Sequence, residues 1–260
     1  MNIIKACIIA VSMYSKIPMP QFEWDDKSMR YALVFLPLPG VIIGALQLAL
    51  FFLWRKSGLA VSIYAALATV LPIAVTGGIH MDGYCDTVDA LSSHQSMERR
   101  LAILKDSNAG AFAVIWAVLY FLLCYAAWSC MAQDAVHSGR TVCLAAAGYV
   151  TSRALSGLAA VWFPNANKKG SLAAFSGSAE KGLVCTVLLF VFAAAGMVQI
   201  IISIQTGVLI LAGEFLFFSY YYAMSRKYFG GITGDLAGWF LQCAELLVLY
   251  IAVIARGFLI

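Results

Sequence analysis

The chain has 260 residues, 62% of them hydrophobic and only 12% charged, with a net charge of +4 and a mean hydropathy of +0.87. Soluble domains carry about twice that charged fraction, so a water-soluble fold is excluded and no nucleic-acid partner is expected. A single integral-membrane domain over residues 1–260 is predicted, all-α and polytopic, with membrane lipid as its surroundings.

Residues 1–17 are apolar but short, are interrupted by Lys5 and Lys16, and run into Pro18 and Pro20. About 20 apolar residues are needed to span, so this piece is predicted to be a re-entrant or interfacial helix. It lacks the pattern of a signal peptide. Residues 21–31, with Glu23, Asp25 and Asp26, read as an acidic surface loop. Seven transmembrane helices follow, at about 33–53, 58–77, 110–132, 141–163, 183–203, 206–225 and 236–255. Pro37, Pro39, Gly40 and Gly44 predict a kink and close packing in the first of them. A charged amphipathic helix is expected over about 94–105. Seven cysteines (Cys7, Cys85, Cys124, Cys130, Cys143, Cys185, Cys243) are scattered without a CxxC pair and point neither to zinc nor to a disulfide framework.

Charge placement gives the orientation. With the N-terminus in the cytoplasm, the inner segments hold twelve cations: Lys5, Lys16, Lys27, Arg30, Arg99, Arg100, Lys105, Lys168, Lys169, Lys181, Arg226 and Lys227. The outer segments hold four, Arg55, Lys56, Arg140 and Arg256. This asymmetry is a positive-inside signal. It puts the long connections 78–109 and 164–182, and the turn 226–235, on the cytoplasmic face, where the chemistry is therefore expected.

The stretch Thr76-Gly77-Gly78-Ile79-His80-Met81-Asp82-Gly83-Tyr84-Cys85-Asp86-Thr87-Val88-Asp89 concentrates three carboxylates in a chain that otherwise avoids charge. On a helix Asp82, Asp86 and Asp89 fall within an arc of about 60°. Like charges so crowded repel unless a cation neutralises them, and an all-oxygen ligand set suits Mg²⁺ or Mn²⁺. The plainer reading is a solvated acidic loop, but no Lys or Arg lies nearby to balance it. His80 is off that face and reads as an interfacial hydrogen bonder.

Two further segments could join this site. In Lys105-Asp106-Ser107-Asn108-Ala109-Gly110, Lys105 could hold a phosphate oxygen and Asp106 could be a fourth ligand, while the helix start at Gly110 offers free amides to an anion. An ordinary helix cap is the alternative. In Gly230-Gly231-Ile232-Thr233-Gly234-Asp235, the glycines permit close backbone approach to a ligand, and Asp235 opens the last span. The alternative is a turn with a capping Asp. Arg153, Glu214 and Glu245 lie within spans. Arg153 could snorkel or face the acids or a phosphate, Glu214 reads as structural, and Glu245 is either a site residue or a helix-packing one. The 164–182 loop, with Asn165, Asn167, Lys168, Lys169 and Gly170, reads as a basic lid or a solvated loop. Carboxylates, a divalent ion, cations and glycine turns at a membrane surface point to phosphoryl or nucleotidyl transfer.

These segments, with Ser152-Arg153 and weaker echoes at Lys16-Ile17-Pro18-Met19-Pro20 and Pro37 to Gly44, resemble the cobalamin (5′-phosphate) synthase family, adenosylcobinamide-GDP ribazoletransferases, in the family's order and over nearly the whole chain. The resemblance implies transfer of adenosylcobinamide phosphate from adenosylcobinamide-GDP to the 3′-hydroxyl of α-ribazole or its 5′-phosphate, with release of GMP, in a bacterial cytoplasmic membrane. It implies Mg²⁺ held by Asp82 and Asp86, with Asp89 and Asp106 as ligands or base. It sets Lys105 and Arg153 against phosphates, and Gly110, Gly234 and Asp235 along the bound ligand. Homo-oligomerisation is left open. Two departures stand out: Asn108 replaces a usual Arg, and Gln242 stands where others carry Glu. A CDP-alcohol phosphotransferase would share the physics, but its motif needs Ala-Arg soon after Asp-Gly, and here Tyr84-Cys85-Asp86 follows. A transporter would need an internal repeat and mid-membrane acids, which the sequence lacks.

Overall fold

The computed structural model describes residues 2–20, 29–134, 136–167 and 170–255. Among the described residues the chain forms eleven α-helices and no strand. They are α1 (Asn2–Tyr14), α2 (Pro37–Ser57), α3 (Val61–Thr76), α4 (Ile79–Ser92), α5 (Met97–Ile103), α6 (Ala111–Gln133), α7 (Ser138–Trp162), α8 (Ser171–Ser178), α9 (Lys181–Ile202), α10 (Ile204–Phe229) and α11 (Gly234–Ile254). A 3₁₀ turn, Ala32–Phe35, leads into α2. The predicted residues Glu23, Asp25, Asp26, Lys27, Lys168, Lys169 and Arg256 lie outside the described residues.

Six helices are long and apolar enough to cross a membrane: α2 with its 3₁₀ lead, α6, α7, α9, α10 and α11. The seventh predicted span is different. At 16 residues, α3 is about 24 Å long, short of the ~30 Å hydrocarbon core. It is followed by α4 at an angle of 96°. The turn is made by Gly77 and Gly78, both in the left-handed region at φ 66° and 82°, where a side chain would be strained. The motif helix α4 therefore turns away from α3 and packs along α6 and α11.

At the predicted kink, a 3₁₀ turn gives way to α2. Pro37 and Pro39 both fall in the first turn of α2, where amide protons have no intrahelical acceptor and proline is tolerated. The close packing is found: a Cβ on Gly40 would come 2.3 Å from the Tyr149 carbonyl oxygen, and one on Gly44 would come 2.8 Å from that of Ala146. Both contacts lie on α7, the axis of the bundle. Of its most apolar window 89% is buried, against 22% for α9. Its run of Ala, Gly, Ser and Thr lets neighbours approach closely, which is how helices associate where lipid gives no hydrophobic drive. Large apolar side chains such as Phe190, Phe215 and Leu216 face outward, as expected of a lipid-facing surface.

Candidate functional site

The three polar motifs meet at one end of the bundle, and glycines explain how. A Cβ on Gly83 would sit 2.7 Å from the Asp235 carbonyl oxygen, and one on Gly238 would sit 2.9 Å from that of His80. Helices α4 and α11 therefore cross backbone to backbone, which brings Asp82 and Asp86 alongside Asp235. Burial, and then the charges of Asp82, Asp235 and Asp89, push the Asp86 carboxyl up to about 6. Among the described residues no ion pair involves Asp82, Asp86 or Asp235.

The other two predicted ligands have partners within the chain. Asp89 accepts hydrogen bonds from the backbone amides of Gly110 (2.6 Å) and Ala113 (3.1 Å), and so caps α6. The free amides at this helix start do hold an anion, as their position suggested, but the anion is the chain's own Asp89. Gly110 is required there, because a Cβ would come 2.1 Å from the Asp89 carboxylate. Asp106 is exposed and accepts from the Asn108 amide (3.0 Å) and side chain (2.9 Å). Those bonds hold its carboxyl below the usual range.

Among the described residues no three carboxylate, imidazole or thiol groups converge closely enough to enclose a metal. This is no obstacle to Mg²⁺, which usually keeps several waters and binds one or two carboxylates together with substrate phosphates rather than a closed protein cage. The donor set fits: Asp82 and Asp86 would offer oxygen ligands, neither is in an ion pair among the described residues, and Asp235 lies beside them.

The Gly-rich turn is used in two ways. Gly230 ends α10 at φ 75°, and Gly231 lies so close to the Pro164 carbonyl that a Cβ would be 2.3 Å away. That approach allows a short pairing of two loops: the Ala166 amide donates to Ile232 (2.9 Å) and the Ile232 amide donates to Pro164 (2.8 Å). Gly234 and Asp235, beyond the turn, line two cavities. One, of about 320 Å³, is the more polar of the two and includes Lys105, Asn165, Asn167 and Thr233. The other, of about 400 Å³, includes Tyr14, Leu33, His80, Asp82 and Phe175. Leu172 of α8 borders both, so the predicted lid loop does reach the site.

Arg153 lines neither cavity. It is 1% exposed and donates to the Glu245 carboxylate (2.5 Å) and the Tyr149 carbonyl (3.0 Å). It ties α7 to α11 through Glu245. Glu214, also fully buried, accepts from Thr151 and joins α10 to α7. His80 was not placed in the site by helical phase, yet it lines the larger cavity and stacks on Tyr14 with ring centroids 6.1 Å apart. Only its position two residues before Asp82 signalled this.

A family model described as cobalamin-5-phosphate synthase matches residues 6–253. Curated proteins named adenosylcobinamide-GDP ribazoletransferase are similar over nearly the full length. The one from Lachnoclostridium phytofermentans is 42% identical over 97% of this chain and 94% of its own. That from Clostridium perfringens is 32% identical over 93% and 94%, and that from Treponema denticola is 31% identical over 94% and 96%. No solved structure matches the chain. The crossing of α4 and α11 thus joins motifs within the matched region, and the chain belongs to the cobalamin-5-phosphate synthase family as a multi-pass membrane transferase.

Proposed function

We propose that this protein transfers adenosylcobinamide phosphate from adenosylcobinamide-GDP to the ribose 3′-hydroxyl of α-ribazole or its 5′-phosphate, with release of GMP. The observation that carries the reading is the backbone-close crossing of α4 on α11. It gathers Asp82, Asp86 and Asp235, and among the described residues none of the three is in an ion pair. Carboxylates left uncompensated beside a membrane call for a cationic ligand. The names of the similar proteins supply the substrates.

Each residue then has a task. Asp82 and Asp86 would hold Mg²⁺, which when bound would neutralise the diphosphate and stabilise charge on the departing phosphate. Lys105, at the edge of the polar cavity, meets a phosphate oxygen. Asp235 borders both cavities and is the carboxylate placed to accept the proton of the attacking hydroxyl. As that hydroxyl oxygen bonds to the cobinamide-bearing phosphorus, the bond from phosphorus to the GMP oxygen breaks. Asp89 acts as a positioning residue that locks the end of α4 to the start of α6. The cation asymmetry supports a cytoplasmic membrane location with this polar end facing inward.

The test is turnover by the purified protein in lipid nanodiscs supplied with adenosylcobinamide-GDP, α-ribazole and Mg²⁺. Stoichiometric GMP and cobalamin product are expected, with none after chelation. No GMP release under these conditions would overturn the reading.

A further inference from the structure

One wall of the larger cavity is His80, whose imidazole carries a polar atom that the proposed reaction does not use. His80 is 6% exposed, and its Nε2 is buried without a hydrogen-bond partner. Buried polar atoms are nearly always paired, and an orphan marks a place where a partner belongs. The cavity it lines adds a shape. Its volume of about 400 Å³ lies in the range of small-molecule sites. Its walls include the Tyr14 ring, stacked against His80, and the Phe175 ring, surfaces suited to a flat aromatic ligand. Asp82 and Asp235 border the same cavity.

We infer that this cavity receives the base of the nucleoside acceptor, and that His80 Nε2 hydrogen-bonds an in-ring nitrogen of that base. The inference rests on the transfer reaction proposed above and assigns its two substrates to the two cavities. The polar cavity, with Lys105, Asn165 and Asn167, suits the diphosphate and nucleotide of the donor. The aromatic cavity is too small for a corrinoid ring. A lipid acyl chain could fill its apolar part but would leave Nε2 unpaired and two carboxylates at its border. An aromatic nucleoside satisfies all three features: ring against ring, ring nitrogen against Nε2, and ribose toward the acids. Gly234 and Asp235 belong to both cavities, so a ribose leaving one and a phosphate leaving the other would meet at that wall.

The experiment compares wild type with His80→Ala and His80→Gln in nanodiscs. It uses α-ribazole, whose benzimidazole has one unsubstituted ring nitrogen, and the corresponding indole riboside, which has a C–H there. Dissociation constants are measured by calorimetry, and KM for both substrates by GMP release. His80→Ala should weaken α-ribazole binding about tenfold or more, leave adenosylcobinamide-GDP binding within about twofold, and bind the two ribosides alike. His80→Gln, which restores a polar atom near Nε2, should recover much of the loss, and a purely structural role would not produce this riboside-specific pattern. Unchanged α-ribazole affinity in a folded His80→Ala protein would overturn the inference, as would a loss confined to the donor. So would a phospholipid, found by native mass spectrometry, that α-ribazole fails to displace. If wild type releases no GMP, the reaction itself is wrong. If wild type turns over while His80→Ala binds α-ribazole normally, only the cavity assignment fails.

Discussion

Two regions of this protein hold carboxylates that matter to its architecture or its site, and they treat them in opposite ways. Inside the bundle, the Glu245 carboxylate is paired with the Arg153 guanidinium. At the polar end, Asp82, Asp86 and Asp235 are drawn together, and among the described residues none of them is in an ion pair. A charge compensated within the chain is architecture. One left open at the mouth of two cavities is prepared for something that arrives. The contrast separates binding residues from structural ones better than proximity along the sequence does.

The largest effect is expected from breaking the compensated pair. Glu245→Ala leaves the buried Arg153 guanidinium unpaired, and removal of one partner of a buried ion pair costs about 3–5 kcal/mol. The double variant Arg153→Met/Glu245→Met should recover most of that stability in chemical or thermal denaturation in detergent, and should keep measurable activity. If the double variant is folded but inactive while its melting is normal, Arg153 faces substrate after all and the contrast is wrong.

The open region should answer differently. Asp82→Asn removes an exposed charge that is in no ion pair among the described residues, so the fold should be unharmed or slightly stabilised, while turnover falls by about 10²-fold or more, the scale seen when a metal's coordination shell is damaged. Mg²⁺ titration of the rate together with melting of the same sample checks both halves. Loss of folding in step with activity would move Asp82 into the architectural class.

The cation's hold on this region should also depend on pH. Metal ligands must be deprotonated to bind, and burial with the neighbouring acids raises the Asp86 carboxyl to about 6. Above that pH the carboxylate is free and Mg²⁺ affinity should be flat. Below it the proton competes, and affinity should fall by about tenfold per unit. Calorimetric Mg²⁺ titrations between pH 5 and 8, scanned in about half-unit steps, check this, and Asp86→Asn should bind more weakly with the slope abolished. A pH-independent affinity in wild type would exclude Asp86 as a ligand.

How much of this was legible follows from the range of each interaction. Span lengths and the crowded acids are properties of contiguous residues, so they can be read along the chain. The bend between α3 and α4 was not legible: the predicted span stops at Gly77, but nothing local to Gly77-Gly78 specifies a 96° turn. The crossing at Gly83 and Gly238, and the pairing of Arg153 with Glu245, join residues far apart in sequence. No local pattern distinguishes a glycine that admits a ligand from one that admits another helix. Gly110 shows the difficulty: its amide does bind an anion, and nothing in the spacing says whether that anion is a phosphate or an aspartate.

Asp89 lies on the border between the two regions and gives the sharpest, though smallest, test. It belongs to the acidic face by helical phase, but its two oxygens accept from Gly110 and Ala113. If it is a cap, Asp89→Asn keeps one acceptor oxygen and should cost about 1 kcal/mol of stability, with turnover falling far less than in Asp82→Asn. Gly110→Ala should reproduce the defect from the other side, because its Cβ would displace the carboxylate. Combined, the two substitutions should cost less than the sum of their separate effects, since they break one contact. Turnover in Asp89→Asn as low as in Asp82→Asn, with melting unchanged, would instead show that a carboxylate bonded to two amides can still serve the cation. Internal compensation would then no longer be a criterion for setting a residue outside the site.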